Sequence, residues 1–258
     1  MSNQDHESVD TNEDDHRSLC EWTWNEKDSG KGAVVHKDRC HVTFHPTRSV
    51  GCAAVRGVKV LAPNMEHYFE VELRGPFCGQ ARQVGIGTKN TTLQSNNYDF
   101  YPLLGKDMFS WGVNYNGFKS HGGTMVRHVS LDPDRHSTIR IGVHFDSYYG
   151  FLSFELNGRS PGVAFDKVIT NVNYYPMLCA SAAGTEMKLT QCCSSVMSLK
   201  ALCRGVIRSQ ISNDKDFEKL VLPNHLKAYL QFKSPKTHRS HGKKSGGSRN
   251  RVAQESCI

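Results

Sequence analysis

An all-β fold, an antiparallel β-sandwich followed by a small α-helical appendage, is what this sequence predicts, on three observations. Between Cys20 and Leu189, short β-rich runs alternate with Gly, Asn, Asp and Pro punctuation, and no segment there keeps a long helical period. Within HYFEVEL, Tyr68, Glu70 and Glu72 fall on one face and Phe69, Val71 and Leu73 on the other, the period of a half-buried strand. Beyond Ser198 the apolar spacing changes to that of a helix. Many short strands without intervening helices close into two packed sheets.

Taken in order, residues 1–19 carry six acids against one arginine and read as a disordered acidic tail. The sandwich is expected over 20–190. HVTFH is a strand with His41, Thr43 and His45 on one face and Cys40, Val42 and Phe44 on the other. Arg56, inside VRG, is placed at a strand edge or in an internal salt bridge. The two glycines of VGIGT mark close strand packing. SYYGFLSFELNGRS has turn signals at Gly150 and at Asn157-Gly158 with a strand between them, which makes it hairpin material.

In SLKALCRGVI, Leu199, Leu202, Cys203, Val206 and Ile207 recur at i, i+3, i+4, i+7 and i+8, one apolar stripe on a short helix with Ser198 as its N-cap. A polar break, SQISNDKDFEKL, follows. The next element carries Leu222, Pro223, Leu226, Tyr229 and Leu230, with the proline near the first helical turn, where its missing N–H costs little. Together these occupy 195–233. Residues 233–258 hold seven Lys or Arg against one Glu, so the chain is expected to end in a disordered basic tail over 234–258.

A chain of 258 residues with 38% hydrophobic content can bury one sizeable core. No apolar run approaches the roughly 18–20 residues of a membrane span, so no membrane partner is expected. The acidic start MSNQDHESVDTNEDD lacks the basic and apolar pattern of a signal peptide. Nine cysteines without a regular framework suit free thiols in a reducing compartment, cytoplasmic or nuclear. The formal charge of +7 gathers in the C-terminal tail, which would attract nucleic acid only nonspecifically or serve as a nuclear address.

Several runs together resemble a SPRY (B30.2-like) domain: EHYFEVEL, VGIGT, SWGVNYNG, IGVHFDSYYGFLSFELNG and YYPMLCAS, in that order. The helical segment resembles a SOCS box. With FHPTRSVGCAAVRG and YPLLGKD added, the stretch from Glu21 to Phe232 is similar to the SPRY domain-containing SOCS box proteins. That resemblance implies a substrate-recognition subunit of a ubiquitin ligase, docking elongin C with elongin B through Leu199, Cys203 and Ile207. It implies contact with a cullin and its RING protein through Leu222, Pro223, Leu226 and Leu230. The family's cullin-5 form reads Leu-Pro-hydrophobe-Pro; here Val221 stands at the first proline position, and the looser cullin-2 pattern also fits, so the choice stays open with cullin-5 favoured.

The family further implies capture of a short peptide, often one with adjacent asparagines, by three loops. They correspond here to Thr47, Arg48 and Ser49, to Phe100, Tyr101, Leu103 and Gly105, and to Ala183 and Gly184. Members that bind the asparagine-rich motif have Tyr where Phe100 stands and Trp where Ala183 aligns, which implies a shallower pocket or a different target. The alternative reading is a protein-interaction scaffold without a ligase, its C-terminal helices packed on the sandwich.

Catalytic and metal chemistry find little support. His36, Cys40, His41 and His45 have metal-ligand side chains, but an extended HVTFH turns Cys40 away from both histidines at 41 and 45, and no CxxC accompanies them. Gly85-Ile86-Gly87 lacks a third glycine and a βαβ context. There is no GxSxG, HExxH or Walker A sequence. Asp146 is assigned a turn hydrogen bond and Glu155 a solvent-facing strand position. The expectation is a protein without catalytic activity, metal or cofactor.

Overall fold

The computed structural model describes residues 20–75, 77–79, 81–96, 98–130, 138–211 and 213–233; the two predicted tails lie outside the described residues. In chain order the strands are β1 (Trp24–Ser29), β2 (Ala33–Val35), β3 (His41–Phe44), β4 (Ala53–Gly57), β5 (Met65–Arg74), β6 (Gln83–Gly87) and β7 (Ser110–Asn114). They continue as β8 (Phe118–His121), β9 (Thr124–Arg127), β10 (Ile139–Asp146), β11 (Phe151–Leu156), β12 (Val163–Phe165), β13 (Tyr175–Ala180) and β14 (Thr185–Val196). Helix α1 (Leu199–Ser209), a 3-10 turn (Asp214–Lys219) and helix α2 (Asn224–Leu230) complete the chain.

The strands form two seven-stranded sheets, ordered β1-β4-β13-β6-β7-β8-β9 and β12-β11-β10-β5-β14-β3-β2. Every strand pair within them is antiparallel. Between the sheets lie Trp24, Phe44, Phe69, Val71, Leu73, Ile86, Val143, Phe145, Phe154 and Leu178. In β5 the expected alternation holds: Phe69, Val71 and Leu73 are buried, while Tyr68, Glu70 and Glu72 are half-buried on the other face. The hairpin β10–β11 turns through Gly150 at φ +72°, and Asn157 and Gly158 then turn at φ +50° and +72°. Two consecutive positive φ values are what an Asn-Gly turn accommodates.

Strands β4, β6, β7 and β13 are buried on both faces. On the face away from the sandwich core, Cys52, Ala54, Ala81, Met177 and Cys179 pack with Leu103 and Leu104. The segment following β6 therefore folds back over its own sheet. Gly112 leaves room for this, since a Cβ there would lie 2.8 Å from Leu104 Cβ, while a Cβ on Gly85 would lie 2.0 Å from the Trp111 carbonyl oxygen of the neighbouring strand. Arg56, 3% exposed, is internal, donating from Nη1 to Asp28 Oδ1 at 2.8 Å and from Nε to the Thr88 carbonyl at 3.1 Å.

Two details go beyond the expected outline. The last strand continues past 190 to Val196, which pairs with Met65, because a register shift between Leu189 and Gln191 lets β14 stay in step with all of β5. The polar break after α1 is a 3-10 turn that buries Phe217, a single aromatic among charged neighbours. Among the described residues, no helix is long and apolar enough to cross a membrane.

Candidate functional site: one loop end and one exposed helix face

The three predicted loops converge at the end of the sandwich where β4 begins and β13 ends, positions joined by the pairing of Ala53 with Ala180. His45 leaves β3 at φ +48° and is buried there. Its carbonyl accepts from the Gly184 amide at 3.0 Å, and its Nε2 lies 3.3 Å from the Ala180 carbonyl. Ser49 Oγ donates to the Ser181 carbonyl, so the first and third loops are tied together twice. Ser95 links the second loop: its Oγ accepts from the Cys52 amide at 2.7 Å and donates to the Asp99 carbonyl at 2.7 Å.

Within this cluster Thr47, Arg48, Phe100, Tyr101, Ala183 and Gly184 are exposed and Ser49 is half-buried. Tyr98, Met108 and Phe109 add exposed apolar surface along the second loop, which the sequence reading had not singled out. Two assigned residues are not presented. Leu103 is 3% exposed and belongs to the apolar layer covering the outer face of the sheet. Gly105 is buried at φ +79°, where a Cβ would lie 2.3 Å from the Ser120 backbone. Its amide donates to Ser110 Oγ at 2.9 Å and its carbonyl accepts from Gly123 at 2.8 Å, so neither group is free for a ligand. Both positions build the loop instead of meeting a peptide.

At the opposite end of β14 stands α1, capped by Ser198, whose Oγ accepts from the Ala201 amide at 3.1 Å. The face it turns to the protein is Ala201, Arg204 and Gly205, not the apolar stripe. Tyr149, from the β10–β11 turn, lies against Gly205 and donates from its hydroxyl to the Leu202 carbonyl at 3.2 Å. The Arg204 guanidinium is stacked 3.8 Å from the Phe232 ring centroid and 4.8 Å from that of Tyr229. It bonds Glu66 and lies 3.8 Å from Asp146 Oδ2. Burial raises the Asp146 carboxyl above its ordinary range, against the pull of Arg204 and of the amides of Tyr148 and Tyr149 that its Oδ1 accepts. Arg208 donates to the Leu230 carbonyl at 2.8 Å and stacks on Phe151 and Phe217.

This clamp of arginines and rings was not legible as a site, because charged residues in an amphipathic pattern read as its solvent face. Its consequence is that the stripe points outward. Leu199 is 78% exposed, Val206 56%, Cys203 is exposed, and Leu202 and Ile207 are half-buried. Of the second set, Pro223 is exposed and caps α2, while Leu222 and Leu226 are half-buried. Leu230 is a correction: at 4% exposure it anchors α2 inward beside Arg208 and presents no surface. The predicted histidine strand has His41 bound to Asp38 and His36 Nε2 at 2.7 Å from Thr43 Oγ1. Among the described residues no three His, Cys, Asp or Glu side chains gather as a metal site.

The SPRY domain family matches residues 66–193, and the SOCS box family matches residues 195–231. The chain belongs to the SPRY domain-containing SOCS box proteins. SPRY domain-containing SOCS box protein 3 of Xenopus tropicalis is 35% identical over 211 residues, 81% of this chain and 57% of that protein. The protein of the same name from Xenopus laevis is 35% identical over 214 residues, 83% of this chain and 58% of that protein. This SPRY and SOCS box chain thus spans just over half the length of those relatives. Among solved structures, the SPRY domain of human HERC1 superposes with a TM-score of 0.51 at 16% identity, over 65% of this chain and 97% of that one, a likeness of fold.

Proposed function

We propose that this chain is the substrate-recognition subunit of a cullin-RING ubiquitin ligase, without catalytic activity of its own. The observation that carries the reading is the outward stripe of α1, whose opposite face is fixed to the sandwich. Elongin C, with elongin B, would cover Leu199, Cys203 and Ile207. A cullin and its RING protein would meet Leu222, Pro223 and Leu226. Cullin-5 is the favoured cullin, and the segment also fits the looser cullin-2 pattern. The cytoplasm or nucleus is the compartment that suits these partners.

The target would be held at the loop end by Thr47, Arg48, Ser49, Phe100, Tyr101, Ala183 and Gly184, as a short peptide containing asparagine. Exposed aromatics beside a polar turn supply apolar area together with hydrogen-bonding groups, the combination that discriminates peptide amides. Twelve residues of β14 separate the two ends, roughly 36 Å at about 3.3 Å per residue. A rigid strand of that length would hold a bound target at a set distance from the recruiting helix, raising its effective concentration near a ubiquitin carrier.

The scaffold alternative also has support, since the helices do pack on the sandwich; what it leaves unexplained is the uncovered stripe. Co-purification with elongins B and C separates the two. Leu199→Ser and Cys203→Phe should abolish recovery of the complex, and unchanged recovery would reject the receptor reading. For the loop end, calorimetric titration of Asn-Asn peptides should weaken with Tyr101→Ala, whereas equal affinities would remove Tyr101 from the site.

A further inference from the structure

A third cluster lies on the long edge of β14, away from both surfaces. Cys20 forms an isolated bridge with Cys192, and the amide of Glu21 donates to the Cys192 carbonyl at 3.3 Å. Cys40, just before β3, accepts through its carbonyl from the Leu189 amide at 2.9 Å, which sets it beside the same stretch of β14. The Cys20 thiol is shifted by both of the others, upward by Cys192 and downward by Cys40. Cys192 is buried and the other two are half-buried, and all three are free thiols. Adjacent chains in a sheet lie about 4.8 Å apart, inside the roughly 4.4–6.8 Å Cα separation that a disulfide spans.

We propose that Cys20 and Cys192 form a peroxide-oxidisable pair whose disulfide fastens the segment before β1 to the strand that carries α1. Contact with Cys20 lowers the Cys192 thiol below its ordinary value, while the same contact raises Cys20 to about 11, so Cys192 is the more acidic of the two. The deprotonated Cys192 sulfur attacks one oxygen of hydrogen peroxide, the O–O bond breaks, and the departing hydroxide takes up the proton that Cys192 released, giving a sulfenic acid and one water. The Cys20 sulfur then attacks the sulfenic sulfur. The S–S bond forms, the S–O bond breaks, and the departing hydroxide takes the Cys20 proton as a second water. Two thiols have lost two electrons and two protons, and the peroxide has been reduced. The Cys40 thiol is raised by its contact with Cys20 and by burial.

The test is non-reducing peptide mapping of the full chain after brief hydrogen peroxide treatment, with remaining thiols alkylated under denaturing conditions. Fragmentation separates Cys192 from its exposed neighbour Cys193. The expected product is a Cys20–Cys192 linkage within one molecule, removed by dithiothreitol, with Cys78 and Cys193 still alkylated. Cys20→Ser should leave Cys192 unlinked and overoxidised. Full alkylation of Cys20 and Cys192 after peroxide, or linkage of Cys20 to Cys40 or Cys193 instead, would overturn the assignment.

Discussion

The ring of Tyr149 occupies the space that a side chain at position 205 would need: a Cβ on Gly205 would lie 1.8 Å from Tyr149 Cε2. The ring cannot swing away freely, because its hydroxyl bonds the Leu202 carbonyl and its face stacks on Phe151 at 5.9 Å. In an open helix, Gly→Ala gains about 1 kcal/mol. Here overpacking costs about 1–3 kcal/mol and reverses the sign. Gly205→Ala should lower the urea midpoint, while in a Tyr149→Ala background the same change should raise it. A cycle with no coupling would mean that the helix does not rest on this ring.

Leu103 and Phe100 are three residues apart and should behave oppositely. Leu103 is packed against Cys52, Ala54 and Met177, so Leu103→Ala should cost about 2–5 kcal/mol of stability. Phe100 is 46% exposed, and Phe100→Ala should cost less than about 1 kcal/mol. Chemical denaturation of both variants decides the matter. A mild Leu103→Ala would return that side chain to the surface.

The pair also marks the limit of what could be read from the chain. Period-2 alternation located β5, the Asn-Gly turn located the hairpin end, and Ser198 located the start of α1, because each is a local signal. Leu103 and Gly105 belong to the peptide-binding positions that the family resemblance implies, and their burial could not be read from the chain because a covered outer sheet face has no local signature: the cover arrives from a loop more than a dozen residues away in sequence from β4 and β13. The resemblance likewise gives Leu230 to a partner, and a stripe does not say which of its members faces home. On α1 the stripe did report the uncovered face, yet only because two arginines capped by aromatic rings form the covered one. Phe217 gave no periodic signal in a charged stretch. Tertiary packing, not propensity, decided each of these.

Acid should weaken the fold through its buried histidines. Burial lowers His45 and His67, and burial together with the Lys119 charge brings His128 down to about 4. An unfolded histidine titrates near 6.5. Below that value the unfolded chain takes up protons that the native chain refuses, so stability falls as pH drops from about 6.5 toward 4 and is level above 7. His128→Gln removes one of these groups. Its urea midpoint between pH 7.5 and 5 should fall less steeply than that of the parent, and parallel curves would show that His128 titrates normally in the native state.

The outward stripe makes a prediction that needs no partner. Leu199 and Val206 lie 78% and 56% exposed, so replacing both with Ser removes little buried area. The loss should stay under about 1 kcal/mol, mostly helix propensity, with the Ser198 cap untouched. The same change removes two exposed apolar side chains, so concentration-dependent light scattering of the isolated chain should fall. The two readouts move apart only if the stripe faces water. Were these side chains packed against the sandwich, the double substitution would instead lower the denaturation midpoint by the cost of two emptied core positions, several kcal/mol, and scattering would rise as the destabilised chain opened.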